Sequence, residues 1–136
     1  MNREKAIQIT YFLLRVVAGW MFFQAGCAKI FGWFGGMPPD SPPFELMTQM
    51  GIGALLELVG GLLIMFGLCT RPTAFILSGE MAVAYWQFHF GGMGGGWPQQ
   101  NHGVPAVLYC FLFLYMAARG GGDWSLDALI RSKRAT

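Results

Sequence analysis

Three ionisable residues stand inside stretches of sequence that are otherwise apolar. Arg15 interrupts the run LLRVVAGW, Glu57 the run LLELVGG and Glu80 the run ILSGEMAV. A charged side chain in the interior of a membrane costs about 3 kcal/mol on insertion scales, so such a residue is a functional candidate by default. Carboxylates at this depth can carry protons or contact a ligand, and a guanidinium can serve as their counter-ion. These three residues are therefore the first candidates for chemistry.

The spacing of these residues predicts that they lie at similar depths. At a rise of about 1.5 Å per residue, Arg15 lies ~14 Å into its segment, and Glu80 lies roughly as far beyond Arg71. Glu57 lies ~18 Å from the inner end of its own segment. A pair between Arg15 and Glu57 or Glu80 would fix the register of the helices. The second carboxylate must then be protonated, hydrated or paired elsewhere, because burial disfavours its charge. A structural ion pair and a carboxylate that handles protons or a ligand are both open.

A second polar set lies nearer the opposite end of these segments, among many aromatic residues: Gln24, Lys29, Gln87, His89 and His102. Snorkelling to the membrane surface would account for Lys29 and His89, and Trp33 and Trp97 suit an interfacial belt. An apolar cavity with a few polar groups would suit a flat hydrophobic ligand such as a quinone. Haem ligation by the two histidines is a weaker alternative. The sequence contains no nucleotide, phosphate or metal motif.

The elements that must position these residues are membrane helices. Of 136 residues, 54% are hydrophobic and 12% are charged, whereas soluble domains carry about 25% charged residues. A soluble domain of this size could not bury so many apolar side chains, and disorder requires the opposite composition. A net charge of +2 gives no basis for binding nucleic acid. The composition therefore predicts an all-α integral membrane protein.

Four apolar segments are long enough, or nearly so, to cross the membrane: about 6–31, 51–69, 73–90 and 104–118. A span needs about 20 mostly apolar residues, and the short fourth segment gains length if Arg119 snorkels. We therefore expect a four-transmembrane-helix bundle that forms a single membrane domain over residues 1–136. Residues 119–136 would form a cytoplasmic tail.

The positions of the basic residues predict the orientation. Outside Arg15 and Lys29, the cations stand before the first segment, between the second and third, or after the fourth: Arg3, Lys5, Arg71, Arg119, Arg131, Lys133 and Arg134. The positive-inside rule then puts both termini in the cytoplasm. The tail also carries apolar residues beside its cations, as in a short interfacial helix on an anionic leaflet.

Small residues predict how the helices pack. Gly19 and Gly26 lie one heptad apart in the first segment, and such positions let two backbones approach closely in lipid. The cysteines stand singly on three different segments: Cys27, Cys69 and Cys110. Buried thiols packed as small hydrophobic groups are the default for them, and a disulfide between the first and the last is left open.

Four stretches of the sequence resemble the DoxX family of small four-span bacterial inner-membrane proteins. They are LLRVVAGWMFFQAGCAKIFGWFGG, ELVGGLLIMFGLCTRP, MAVAYWQFHF and LFLYMAARGGGDWSLD, in this order over about residues 13–127. Two positions differ from the pattern that is usual in this family. Gln24 stands where members often carry His, and Pro105 stands where they often carry an acidic residue.

The resemblance implies a redox-associated membrane subunit. The first hypothesis is a subunit with a quinone as its ligand and a protein partner in a redox complex. The name of the family derives from a subunit of a thiosulfate–quinone oxidoreductase. On this hypothesis the ionisable residues within the segments manage protons: Arg15, Glu57 and Glu80. Three residues of the second polar set line the ligand site: Gln24, Lys29 and His89.

Two other functions suit the same sequence. A non-catalytic scaffold for a partner enzyme needs only the helices, a basic tail and Gly-rich surfaces. Transport of a small hydrophobic or anionic solute would require a homo-oligomer, because four spans are few for a transporter. The sequence identifies no catalytic residue, so the chain is equally compatible with an enzyme and with a non-catalytic subunit.

Overall fold

A computed structural model describes residues 1–92 and 94–136. The regular elements of the described residues are all helices, with no β-strand among them, which confirms the all-α prediction. The elements are α1 (Arg3–Phe31), α2 (Gln49–Phe66), α3 (Thr70–Ala84), a π-helical turn (Tyr85–Phe90), α4 (Val104–Arg119) and α5 (Leu126–Arg134).

Two of these helices, α1 and α2, are long and apolar enough to cross a membrane, and α4 is a shorter apolar helix. The structure ends α2 at Phe66, before the predicted limit of residue 69, because Gly67 adopts a left-handed conformation with φ 69°. That conformation costs glycine little and is a common helix stop. Helix α3 begins at Thr70, before Pro72, since a proline is tolerated in the first turn of a helix.

The described chain divides into two compact units. One consists of Met1–Thr70 with Gly120–Thr136, and we call it the α1–α2 unit; it also contains α5. The other is Arg71–Arg119, which we call the α3–α4 unit.

Glycines allow α1 and α2 to touch backbone to backbone. A Cβ atom on Gly26 would lie 2.5 Å from the nitrogen of Leu58 and 2.8 Å from the carbonyl oxygen of Ala54. A Cβ atom on Gly19 would meet the backbone of Met65 just as closely. Real Cβ atoms essentially never come within 3.0 Å of another atom. The predicted close packing at these two glycines is therefore confirmed.

The outer surface of α1 is apolar. Its buried residues include Tyr11, Ala18 and Phe22, whereas Leu13 and Val17 are exposed. Large apolar side chains that face outward along a whole helix are unusual in a soluble monomer. In a membrane they contact lipid tails, which are equally apolar.

The segment that follows α4 is bonded to α1. We call Gly120–Asp127 the closing segment. The hydroxyl of Tyr11 donates a hydrogen bond to the carbonyl oxygen of Gly120, and Nε2 of Gln8 donates to a carboxylate oxygen of Asp123 at 2.6 Å. These bonds hold the closing segment against the first turns of α1.

Asp127 bonds the closing segment to the connection between α2 and α3. Its carboxylate accepts hydrogen bonds from the backbone N–H groups of Cys69 at 2.8 Å and Thr70 at 2.9 Å. Its own N–H donates to the carbonyl oxygen of Gly67 at 2.9 Å. Burial alone would raise the pKa of Asp127, but the hydrogen bonds from Thr70 and Cys69, with the charge of Arg131, lower it below its ordinary value of 3.8. The carboxylate is therefore ionised at neutral pH.

A first prediction concerns the contact between α1 and α2. Gly26→Ala is expected to lower the thermal unfolding temperature, because the added methyl group must push the backbone of α2 away, and overpacking costs about 1–3 kcal/mol. Gly79→Ala is the matched control, since a Cβ atom on this helical glycine meets nothing within 4 Å. The control should be neutral or more stable by up to about 1 kcal/mol. Equal unfolding temperatures for the two variants in one detergent would contradict the contact.

A second prediction concerns Asp127 and pH. Because its pKa is lower in the folded state, its contribution to stability is complete above the ordinary value and is lost as the pH falls through the folded value. Asp127→Asn should therefore destabilise the protein at neutral pH, and its difference from the wild type should shrink as the pH falls below the ordinary value of 3.8. Thermal unfolding across this range measures the difference. Asp40→Asn is the control, because it removes an exposed carboxylate outside the closing segment. A difference between Asp127→Asn and the wild type that stays constant with pH would rule out this role.

Candidate functional site

Lys29 and Glu57 form an ion pair between α1 and α2. The Nζ atom of Lys29 lies 2.7 Å from both Oε1 and Oε2 of Glu57. The side chain of Glu57 is only 7% exposed and that of Lys29 is 25% exposed. A carboxylate so far from water needs a cation and hydrogen bonds to remain charged. Lys29 supplies both.

The glycine contact accounts for the reach of Lys29. Gly26 and Lys29 are three residues apart and therefore lie on the same side of α1. Gly26 touches the backbone at Leu58, the neighbour of Glu57 in the sequence. The short distance between the helix axes at this point thus brings the ammonium to the carboxylate.

Arg15 does not pair with Glu57, which was one of the two pairs that the sequence left open. The buried guanidinium of Arg15 donates instead to backbone carbonyl oxygens, from Nη1 to Ile64 and Met65, both at 2.8 Å, and from Nη2 to Trp124 at 2.6 Å. The last carbonyl groups of a helix have no partner within the helix and form the negative end of its dipole. Arg15 therefore closes the end of α2 and joins it to the closing segment.

The prediction that Arg15 and Glu57 lie at similar depths was wrong. Helix α1 has 29 residues and is about 44 Å long, which exceeds the ~30 Å of membrane hydrocarbon. Its first turns run past the end of α2. Arg15 consequently lies at the level of Ile64 and Met65, about 11 Å along α2 from Glu57.

A cavity of about 230 Å³ lies over Lys29. The other lining residues come from the start of α2 and from the connection that precedes it: Met37, Pro42, Pro43, Phe44, Glu45, Thr48, Met50 and Gly51. Most of this wall is apolar, and the Thr48 hydroxyl is already bonded to the backbone of Glu45 and Gly51. An ammonium has three N–H donors, of which Lys29 directs two at Glu57. The third lies outside the pair with Glu57.

The other residues predicted on α1 do not line this cavity. Gln24 is half-buried and lies five residues before Lys29, about 140° around the helix axis. The aromatic residues at this end of α1 pack mainly on one another, with Trp20 against Phe34 at 5.7 Å between ring centres. Phe44 is the one aromatic residue of the cavity lining in the described chain.

His89 holds the Gly-rich connection of the α3–α4 unit. Its Nδ1 atom lies 2.9 Å from the carbonyl oxygen of Asn101, and its ring stacks on Tyr85 with 6.4 Å between centres. The buried amide of Asn101 donates to the carbonyl oxygen of Gly95 at 3.1 Å and accepts from the N–H of Gly103 at 2.9 Å. A neutral His89 then carries its proton on Nδ1 and presents Nε2 as an acceptor. Asn101 was not among the predicted residues, because its only signal in the sequence is an amide side chain in a Gly-rich stretch.

The remaining candidates have separate surroundings. His102 is exposed and adopts a left-handed conformation with φ 58°. Glu80 is half-buried on α3 and Gln87 is exposed in the π-helical turn, and each has an interaction partner. Cys27, Cys69 and Cys110 are all free thiols. The described residues contain no group of three or more His, Cys, Asp or Glu side chains that could hold a metal ion.

Comparisons with known proteins agree with the resemblance found in the sequence. The model of the DoxX family matches residues 10–90. An uncharacterized protein of Haemophilus influenzae is 40% identical over 124 residues, which cover 86% of this chain and 89% of the relative. The inner membrane protein YqjF of Escherichia coli K12 is 28% identical over 143 residues, 96% of this chain and 98% of the relative. No solved structure matches.

The family match covers more than half of the chain, and the Haemophilus relative is similar over most of both sequences. Together with the helical architecture and the apolar outer surface of α1, these findings show that the protein belongs to the DoxX family.

Proposed function

We propose that the protein is a quinone-linked subunit of the bacterial inner membrane, which holds the head group of a quinone over Lys29. The observation that carries this proposal is the cavity of about 230 Å³ that Lys29 lines together with mostly apolar residues. A quinone head is flat and apolar and has carbonyl oxygens that accept hydrogen bonds. Small-molecule pockets usually measure about 300–1,000 Å³, so this cavity suits one ring, with the rest of the ligand in lipid.

The ion pair gives each residue a role in the proposed site. A bound quinone supplies a carrier of two electrons and two protons. Lys29 donates a hydrogen bond to a carbonyl oxygen of the ligand and puts a fixed positive charge where negative charge would develop. Glu57 holds the ammonium in position through both carboxylate oxygens. Arg15 has no part in this proposal, because its terminal nitrogens are bonded to backbone carbonyl groups.

The proposal includes four crossings of the membrane with both ends in the cytoplasm. Besides α1 and α2, the 15 residues of α3 continue without a break into the six of the π-helical turn. Helix α4 is apolar and ends at Arg119, which can snorkel to the surface. The connections 32–48 and 91–103 contain no Lys or Arg, as expected outside the cytoplasm. The inner-membrane relative of Escherichia coli supports the same location.

The test is binding of decylubiquinone to the purified protein in lipid nanodiscs, with empty nanodiscs as the blank for partition into lipid. Lys29→Met is expected to weaken binding at least tenfold, equivalent to about 1.4 kcal/mol, because it removes the donor and the charge. Lys5→Met is the matched control: it removes a lysine from the exposed start of the same helix and should bind normally.

A second variant keeps the ion pair intact. Met37→Trp places a larger side chain on the exposed connection and should fill the cavity, so binding should fall although Lys29 and Glu57 remain. Saturable binding that is equal in the wild type and both cavity variants would disprove the site. No saturable binding to the wild type would overturn the quinone proposal and favour the scaffold or transport hypothesis.

A further inference from the structure

Helix α5 presents an apolar surface that the described chain leaves exposed. Leu126, Leu129 and Ile130 are 40%, 51% and 40% exposed. At about 100° per residue, these three side chains fall within an arc of about 100°. This arc is the width of an apolar face that normally packs against another element.

Basic side chains border the apolar arc of α5. By the same 100° step, Lys133 falls within the arc at the last turn and Arg134 lies about 40° outside it. Both are exposed. Arg131 lies one turn after Asp127 and interacts with its charge. Lys133 and Arg134 thus remain as cations next to exposed leucine and isoleucine side chains.

Helix α5 begins at the level where α2 ends. The N–H of Asp127 is bonded to Gly67, the residue after α2, and the carbonyl oxygen of Trp124 accepts from Arg15. Since α2 is an apolar helix of spanning length, its end marks the region of the polar head groups. The ring of Trp124 packs edge-on against Phe12 at 5.6 Å, and tryptophan is enriched at this depth of a membrane.

We propose that α5 binds anionic phospholipid and that this contact stabilises the α1–α2 unit. Lys133 and Arg134 contact the phosphate groups, while Leu126, Leu129 and Ile130 enter the boundary of the acyl chains. Asp127 and Arg15 connect α5 to the end of α2, so lipid that binds only the folded arrangement raises its stability by mass action. The proposal is independent of the quinone site, because it uses none of the cavity residues.

The test compares thermal unfolding in nanodiscs of phosphatidylcholine with unfolding in nanodiscs that also contain phosphatidylglycerol. The unfolding temperature of the wild type should rise by several degrees with the anionic lipid. The double variant Lys133→Gln/Arg134→Gln should lose at least half of this rise. Arg3→Gln/Lys5→Gln is the matched control, since it removes the same charge from the exposed start of α1 and should keep the rise. An equal loss in both double variants would show nonspecific electrostatics and overturn the proposal.

A second measurement separates lipid from a protein partner. Leu129→Glu changes an exposed side chain and should unfold like the wild type in phosphatidylcholine, yet it should lose the rise with phosphatidylglycerol. In a variant that keeps only Trp124 of the five tryptophans, brominated phosphatidylglycerol should quench the fluorescence, most strongly when the bromines lie near the head group. Trp124 that is not quenched would place α5 away from the bilayer, which would overturn the proposal and favour a protein partner for this face.

Discussion

The backbone contact between α1 and α2 is the constraint on which the rest of the structure depends. Because Gly26 has no side chain, the two helices come close enough for Lys29 to reach both carboxylate oxygens of Glu57. A larger residue would separate the helices and leave an almost buried carboxylate without its cation, which is far less stable than the pair. Lys29 also lines the cavity. The polar character of the cavity therefore depends on the helix contact at Gly26.

The two polar contacts of α1 differ in what they leave for a ligand. Arg15 directs its terminal nitrogens to backbone carbonyl groups at the end of α2, and Asp127 similarly accepts from backbone N–H groups. Both side chains complete hydrogen bonds that helix ends cannot make for themselves. Lys29 pairs with a side chain and also lines the cavity, where we propose that it contacts the ligand. A charged residue within an apolar segment can therefore cap a helix or be available to contact a ligand. The two cases differ in whether its hydrogen-bond partners are backbone groups at a helix end.

Local pattern was enough to predict the helices and the glycine contact, because hydrophobic composition and small residues act within a few turns of one chain. It was not enough to predict the partners of Arg15. The depth of Arg15 was measured from the start of its own apolar segment, but α1 extends beyond the end of α2. The register between two helices is set by contacts distant in sequence. Asn101 and Asp127 were missed for a related reason: each bonds to backbone atoms, which every residue type provides.

The central claim is that Lys29 and Glu57 are paired in the membrane because Gly26 brings their helices together. Solid-state NMR of the protein in lipid bilayers tests it most directly, with ¹⁵N-lysine and ¹³C-glutamate labels assigned through Lys29→Gln and Glu57→Gln. We expect strong dipolar transfer between Nζ of Lys29 and the carboxylate carbon of Glu57, at the chemical shift of an ionised group, and weaker transfer in Gly26→Ala. No transfer in the wild type, or a protonated Glu57, would contradict the account.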